Sequence, residues 1–144
     1  MPGYLVLVLH AHLPFVRHPE HAKFLEETWL FEAITETYLP LLELLAGWRR
    51  DHLDARLALT LTPTLCSMLQ DPLLQDRYAR HLDGLIELAE KEIHRTRWEK
   101  AFHELAQFYH RRLIATRDAY AAGIKSIEEA LARIDGEGKG ARPK

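Results

Sequence analysis

His10 and His12 stand two positions apart, where an apolar run of six residues, Tyr4-Leu-Val-Leu-Val-Leu9, gives out. Imidazoles suit chemistry near neutral pH. They bind metals through a neutral nitrogen, they donate or accept hydrogen bonds, and they carry protons. Alternation along a strand puts both rings on the same side. Spacing alone leaves three uses open. The pair could begin a divalent-metal site, which would still need carboxylates or more histidines from elsewhere. It could hydrogen-bond a polar substrate such as a sugar. It could be structural, capping the strand end against backbone carbonyls. Nothing at the end of the second expected strand, Thr60-Leu-Thr62, completes a metal site.

The other candidate groups are weaker. His18 and His21 lie in the polar stretch Arg17-His-Pro-Glu-His-Ala-Lys23 and read as a solvated connection. His81, His94, His103 and His110 fall on expected helices without a common spacing, and read as solvated too. An indole face suits the apolar face of a pyranose, so Trp29 and Trp48 could be stacking platforms. Their helical spacing makes them more readily core residues.

Several elements must position these groups. The Leu- and Val-rich run reads as a strand over about 4–10, buried on both faces as in a parallel sheet. Pro14 ends it, because it has no N–H to donate. Trp29, Ala33, Ile34, Thr37, Leu41, Leu42, Leu45 and Trp48 then recur at helical spacing, with Pro40 expected to kink or restart the helix. Glu26 and Glu27 near its start complement the helix dipole. Residues 55–62 read as a second strand, followed by a short helix that Thr62-Pro63 opens. Asp71-Pro72 repeats that opening. Stripes on Leu74, Tyr78, Leu82, Leu85, Ala89 and Ile93, then on Trp98, Phe102, Leu105, Tyr109, Leu113 and Tyr120, predict a helical hairpin over about 72–121. Gly123 suggests a break, Ser126 to Glu129 a capping box opening a short helix over 123–134, and the Gly-rich 135–144 a disordered tail.

Two strands joined by helical crossover lie parallel. A two-stranded parallel sheet buried on both faces is not stable by itself, so further strands are expected from elsewhere. The fold class expected is α/β, mostly helical by residue count.

Composition bounds the rest. At 144 residues with 47% hydrophobic and 28% charged, the chain is in the globular range. A net charge of −2 with dispersed Lys and Arg offers no footprint for nucleic acid or an anionic membrane. One cysteine, Cys66, allows no internal disulfide and suits a reducing compartment. The short N-terminal apolar run, with no basic segment before it, does not read as a signal peptide. A soluble, cytoplasmic protein is expected.

Three stretches carry a family resemblance: His10-Ala-His-Leu-Pro-Phe-Val-Arg17; Trp29-Leu-Phe-Glu-Ala-Ile-Thr-Glu-Thr-Tyr38-Leu-Pro-Leu-Leu42; and Leu59-Thr-Leu-Thr-Pro63 with Asp71-Pro-Leu-Leu74. Together they resemble the N-terminus of α-1,4-glucan branching enzymes of glycoside hydrolase family 57, over roughly residues 3 to 120. The stretch Trp29-Leu-Phe-Glu32 favours the branching subgroup over a related amylase or 4-α-glucanotransferase. The resemblance implies the first part of a distorted (β/α)7 TIM-like barrel with a helical insertion after the second strand. It implies retaining transglycosylation of an α-1,4-glucan such as glycogen or amylose, forming α-1,6 branches, with no metal or organic cofactor. It places His10 in the donor-sugar subsite and His12 in the same motif, orienting or structural. Trp29 joins them as a candidate substrate-binding residue.

The family's nucleophilic Glu and its acid/base Asp come after later strands, and no position here matches them. The likeness fades after about Tyr120. The expectation is an N-terminal portion, inactive alone, whose partners are α-1,4-glucan and either the remainder of the barrel or a second copy. A non-catalytic helical interaction module is the alternative.

Overall fold

The computed structural model describes residues 3 and 5–138, with side chains as far as residue 123. The chain divides into two compact units, Met1–His81 and Leu82–Lys144.

In the first unit, β1 (Val8–Ala11) pairs in parallel with β2 (Ala58–Leu61), in the register Val8 to Ala58, His10 to Thr60 and Ala11 to Leu61. The α/β reading of two parallel strands within a mostly helical chain is what the structure shows. Both strands are shorter than the sequence pattern suggests, because a ladder exists only where both strands present paired groups.

Burial departs further from expectation. The run that reads as a doubly buried strand is exposed, with Leu5 at 96%, Val6 at 77% and every residue of β2 on the surface. Among the described residues no third strand pairs with the sheet. Apolar patterning states what a segment must bury, and the cover has to come from other elements.

Between the strands, α1 (Glu27–Ala33) runs through a π turn, Ile34–Tyr38, into α2 (Leu39–Arg50). The chain stays helical through Pro40, and the disturbance expected at Tyr38 and Leu39 takes the form of this π turn, after which α2 starts at Leu39. Proline lacks an N–H and its ring collides with the carbonyl four residues back. The π turn absorbs this by widening the preceding turn, so that the Leu39 N–H bonds Ile34 O, five residues back. At its end α2 closes with a Schellman pattern: His52 N–H reaches Arg49 O and Leu53 N–H reaches Trp48 O. His52 takes the left-handed conformation, φ 55°, that glycine usually fills there.

The core of this unit is Val16, Leu30, Phe31 and Ile34 with Leu65, Met68, Leu74 and Tyr78. The last four come from α3 (Pro63–Gln70) and the start of α4 (Pro72–Arg95). Thr62 and Asp71 cap those helices as their sequences predict: Thr62 Oγ1 accepts from Leu65 N–H, and Asp71 Oδ1 from Leu73 and Leu74 N–H. Glu27 stands in the first turn of α1 as expected, but it sits at the same spacing as Leu30, Phe31 and Ile34 and is buried with them at 2% exposure. It is ion-paired with Arg77 of α4, itself 8% exposed.

In the second unit, α5 (Lys100–Gly138) runs antiparallel to the end of α4. As α5 ascends through His103, His110 and Arg117, its partners descend through Ile93, Glu90 and Asp83. Thr96, buried in the turn, donates to Glu92 O. The face of α5 turned to α4 carries His103 and His110, while Phe102, Leu105 and Tyr109 of the expected core stripe are exposed. Repeat spacing defines a face but does not choose its partner. The break read at Gly123 and the separate helix over 123–134 are absent, because α5 runs straight through. A glycine inside a helix costs only about 1 kcal/mol relative to alanine. Of the expected disordered tail, 135–138 belongs to α5 and 139–144 lies outside the described residues.

Breaking a buried ion pair by deleting one partner leaves an uncompensated charge and costs about 3–5 kcal/mol. Glu27→Ala is therefore expected to lose about that much in urea denaturation followed by circular dichroism. A loss below about 1 kcal/mol would show that Arg77 finds water or another anion.

Candidate functional site

The candidate site lies at the carboxyl end of β1. Paired residues on neighbouring strands share a face, and the parallel register sets His10 beside Thr60. The His10 Nδ1 to Thr60 Oγ1 distance is 2.8 Å. A hydroxyl can donate or accept, so this bond fixes the ring's orientation rather than its tautomer. It engages Nδ1 and leaves Nε2 as the nitrogen to meet a ligand. His12 follows the strand's last residue. Ala11 between the two histidines is buried while both histidines are exposed, as alternation requires.

Trp29 lies in the first turn of α1 and is 49% exposed, whereas its neighbours Leu30 and Phe31 are buried. Of the two uses its sequence leaves open, the core one is not realised. Trp48 is only partly exposed near the end of α2.

The loop after His12 is pinned at four points. Val16 is buried and its N–H meets Met68 Sδ at 3.3 Å. Arg17 Nε donates to Asp71 Oδ2 at 2.5 Å. Arg77 donates to the carbonyls of His18, at 3.1 Å, and His21, at 2.5 Å. The rings of His18 and His21 lie against Phe24, with centroids 3.7 and 5.2 Å away. His21 is exposed and His18 half-buried, so the solvated reading holds for the His21 ring, while the backbone of both is built into the loop.

Asp71 serves two ends at once. Burial pushes its carboxyl up, but the Arg17 guanidinium and the N–H groups of Leu74 and Leu73 outweigh that and hold it below the usual carboxylate value. The charged carboxylate is the form that both caps α4 and grips the loop.

Thr60, Glu27, Asp71 and Arg77 escaped the sequence reading as parts of this site. Thr60 needs the strand register to be found. Glu27 and Arg77 left a trace: each is a charge on the buried side of an apolar helical stripe, Glu27 before Leu30 and Ile34, Arg77 between Leu74 and Tyr78.

A metal use for His10 and His12 gains nothing from this arrangement. Among the described residues no three His, Cys, Asp or Glu side chains gather as a metal's ligands would. The group on His10 is a hydroxyl. Nor is any helix among the described residues long and apolar enough to cross a membrane.

The remaining histidines are partly built in as well. His81 packs against Phe31 at 5.2 Å, His103 Nδ1 meets Ile93 O at 3.0 Å, and His110 pairs with Glu90 at 3.4 Å. Burial lowers the His81 pKa, with the Glu32 carboxylate opposing and Lys23 assisting.

Residues 6–130 match the pattern of Glycosyl hydrolase family 57. A 1,4-alpha-glucan branching enzyme of Thermococcus kodakarensis is 32% identical over 111 residues, 76% of this chain and 16% of that protein. Among solved structures, the alpha-amylase AmyC of Thermotoga maritima superposes with a TM-score of 0.75 at 43% identity, covering 93% of this chain and 26% of that one. The branching enzyme of Pyrococcus horikoshii superposes with a TM-score of 0.78 at 26% identity, covering 94% and 25%. The chain belongs to glycosyl hydrolase family 57, and its strands and helices are those of the N-terminal part of that family's barrel. It spans about a quarter or less of the length of these relatives.

The lowered His81 pKa has a signed consequence. Just below the ordinary value of 6.5 the unfolded chain binds more protons than the folded one. Stability is therefore complete above 6.5 and is lost as pH falls through the folded value. Urea midpoints measured from pH 7.5 down to 5 should decline, and His81→Gln should reduce the decline. An unchanged decline in that variant would assign it to other groups.

Proposed function

We propose that this chain forms one wall of the sugar subsite of an enzyme acting on α-1,4-glucan, and that the reaction is branching. His10 would hydrogen-bond a sugar hydroxyl through Nε2, His12 would bond or orient beside it, and Trp29 would stack on a pyranose face. The observation that carries this reading is the oriented His10: its ring is exposed at the exit of a parallel strand and held through Nδ1 by Thr60. Ligands of α/β barrels sit at that end of the sheet.

Branching of the retaining kind has two steps. A carboxylate attacks C1 of the donor and forms a glycosyl-enzyme. A 6-hydroxyl of another glucose unit then takes the chain. The two carboxyl groups this needs stand about 5 Å apart. In this reading both come from outside the stretch matched here, so the wall would bind and orient while other residues would do the bond-breaking. No cofactor enters this scheme. By itself the chain is expected to bind glucan without branching it. The exposed apolar residues of β1 and β2 suit the barrel's further strands, which makes the remainder of the barrel the natural partner and a second copy the competing one. The natural substrate would be glycogen or amylose, in the reducing cytoplasm that a lone Cys66 suits.

Hydrolysis of the α-amylase kind is a second reading. The 43% identity to AmyC over nearly the whole chain favours it. Both chemistries use the same subsite and differ in whether a sugar hydroxyl or water accepts the chain.

The test has two arms. Incubation of the chain with amylose should yield no new α-1,6 linkages, and their appearance would contradict the assignment of catalysis to other residues. Titration with maltoheptaose should show binding that weakens about tenfold or more in His10→Ala. Equal binding in that variant would remove the subsite role and favour an interaction module.

A further inference from the structure

We propose that Arg77 is a positioning residue that sets the His12 loop and the Trp29 helix turn in one fixed relation. This rests on reading those two segments as the glucan-binding wall.

Arg77 is buried on α4, far in sequence from both segments, yet its guanidinium reaches each of them. Nη1 donates to His18 O at 3.1 Å and Nη2 to His21 O at 2.5 Å. Nη1 also donates to Glu27 Oε1. His18 and His21 lie in the loop that leaves His12. Glu27 opens α1, two residues before Trp29. One planar fork therefore holds the loop by its backbone and the helix by its first side chain.

Local backbone bonds within each segment tie the groups the fork holds to the rest of that segment. His21 N–H bonds His18 O at 3.2 Å, so the two carbonyls belong to one turn. Trp29 N–H bonds Glu26 O at 3.2 Å, so the indole's backbone is fixed to the turn that Glu27 occupies. Upstream, Val16 and Arg17 are held by Met68 and Asp71, which leaves only residues 13–15 between His12 and the first anchor.

A lysine cannot replace this fork. It carries the same charge and can face Glu27, but its single nitrogen does not span two carbonyls and a carboxylate with fixed angles. The geometry thus asks for arginine by shape rather than by charge. Removal of the fork should let the His12 side and the Trp29 side move independently, while each keeps its own local structure.

The test compares the unaltered chain with Arg77→Lys by NMR. Amide hydrogen exchange at His21 and at Trp29 should accelerate together, by tenfold or more. The His12 ring and Trp29 indole signals should shift, while amides and rings around His103 and His110 on α5 stay as they were. Should Arg77→Lys fail to fold, Glu27→Gln serves instead. It keeps a hydrogen-bond acceptor but removes the charge, and should likewise speed exchange at both His21 and Trp29.

Acceleration at only one of the two segments, or at neither, would overturn the proposal. So would unchanged His12 and Trp29 signals in a folded Arg77→Lys. Maltoheptaose affinity separates this proposal from the functional reading. If the unaltered chain has no affinity while the exchange rates respond together, the reading of the wall fails and the positioning role stands. If affinity is present and falls at least tenfold in Arg77→Lys along with the coupled exchange, both stand.

Discussion

The buried pair of Glu27 and Arg77 is the interaction on which the first unit depends. Two charges removed from water are tolerable only when each is matched and their remaining hydrogen-bonding groups are used. Here Glu27 is answered by the guanidinium, and two further donors of the guanidinium are used by the His18 and His21 carbonyls. The same requirement that makes the pair costly to break gives it reach. It joins the start of α1, the loop behind β1 and α4, three segments that no stretch of local sequence connects.

The sheet is the opposite case. Its two strands satisfy each other along one edge, and most of their apolar side chains, Ala11 and Leu9 apart, lie open. A protein whose most hydrophobic segment is its most exposed has its core elsewhere, and that core is the set of side chains from α1, α3 and α4 around Leu30, Leu65 and Tyr78. The helical layer is thus self-sufficient in packing, and the sheet is not. That division suits a barrel wall, whose strands are completed by neighbours and whose helices stand outside. The site inherits the division: His10 is oriented by the sheet through Thr60, while the loop after His12 and the turn bearing Trp29 are held by the helices.

Much of this was legible in the sequence, for reasons that can be named. The two strands, the caps at Thr62 and Asp71 and the exposed histidines on either side of Ala11 follow from local rules of alternation, capping and proline chemistry. The family was legible because three motifs keep their order and spacing. Three kinds of feature were not legible. The Glu27 and Arg77 pairing is a contact across fifty residues, visible beforehand only as two misplaced charges. The π turn before Pro40 is one of several ways to accommodate a proline, and the sequence names the problem without naming the solution. The first half of α5 turns histidines to α4 and leaves Phe102, Leu105 and Tyr109 of the expected stripe outward, because periodicity identifies a stripe and leaves its partner open. In the same way the apolar run that leads into β1 states a need for burial without supplying the cover.

A direct measurement of the central claim is intermolecular NMR contact between maltoheptaose and the chain. The account predicts contacts from sugar protons to the His10 and His12 rings and to the Trp29 indole, all from one bound oligosaccharide. Contacts confined to side chains of α5, or absent from these three while the sugar is bound, would contradict it.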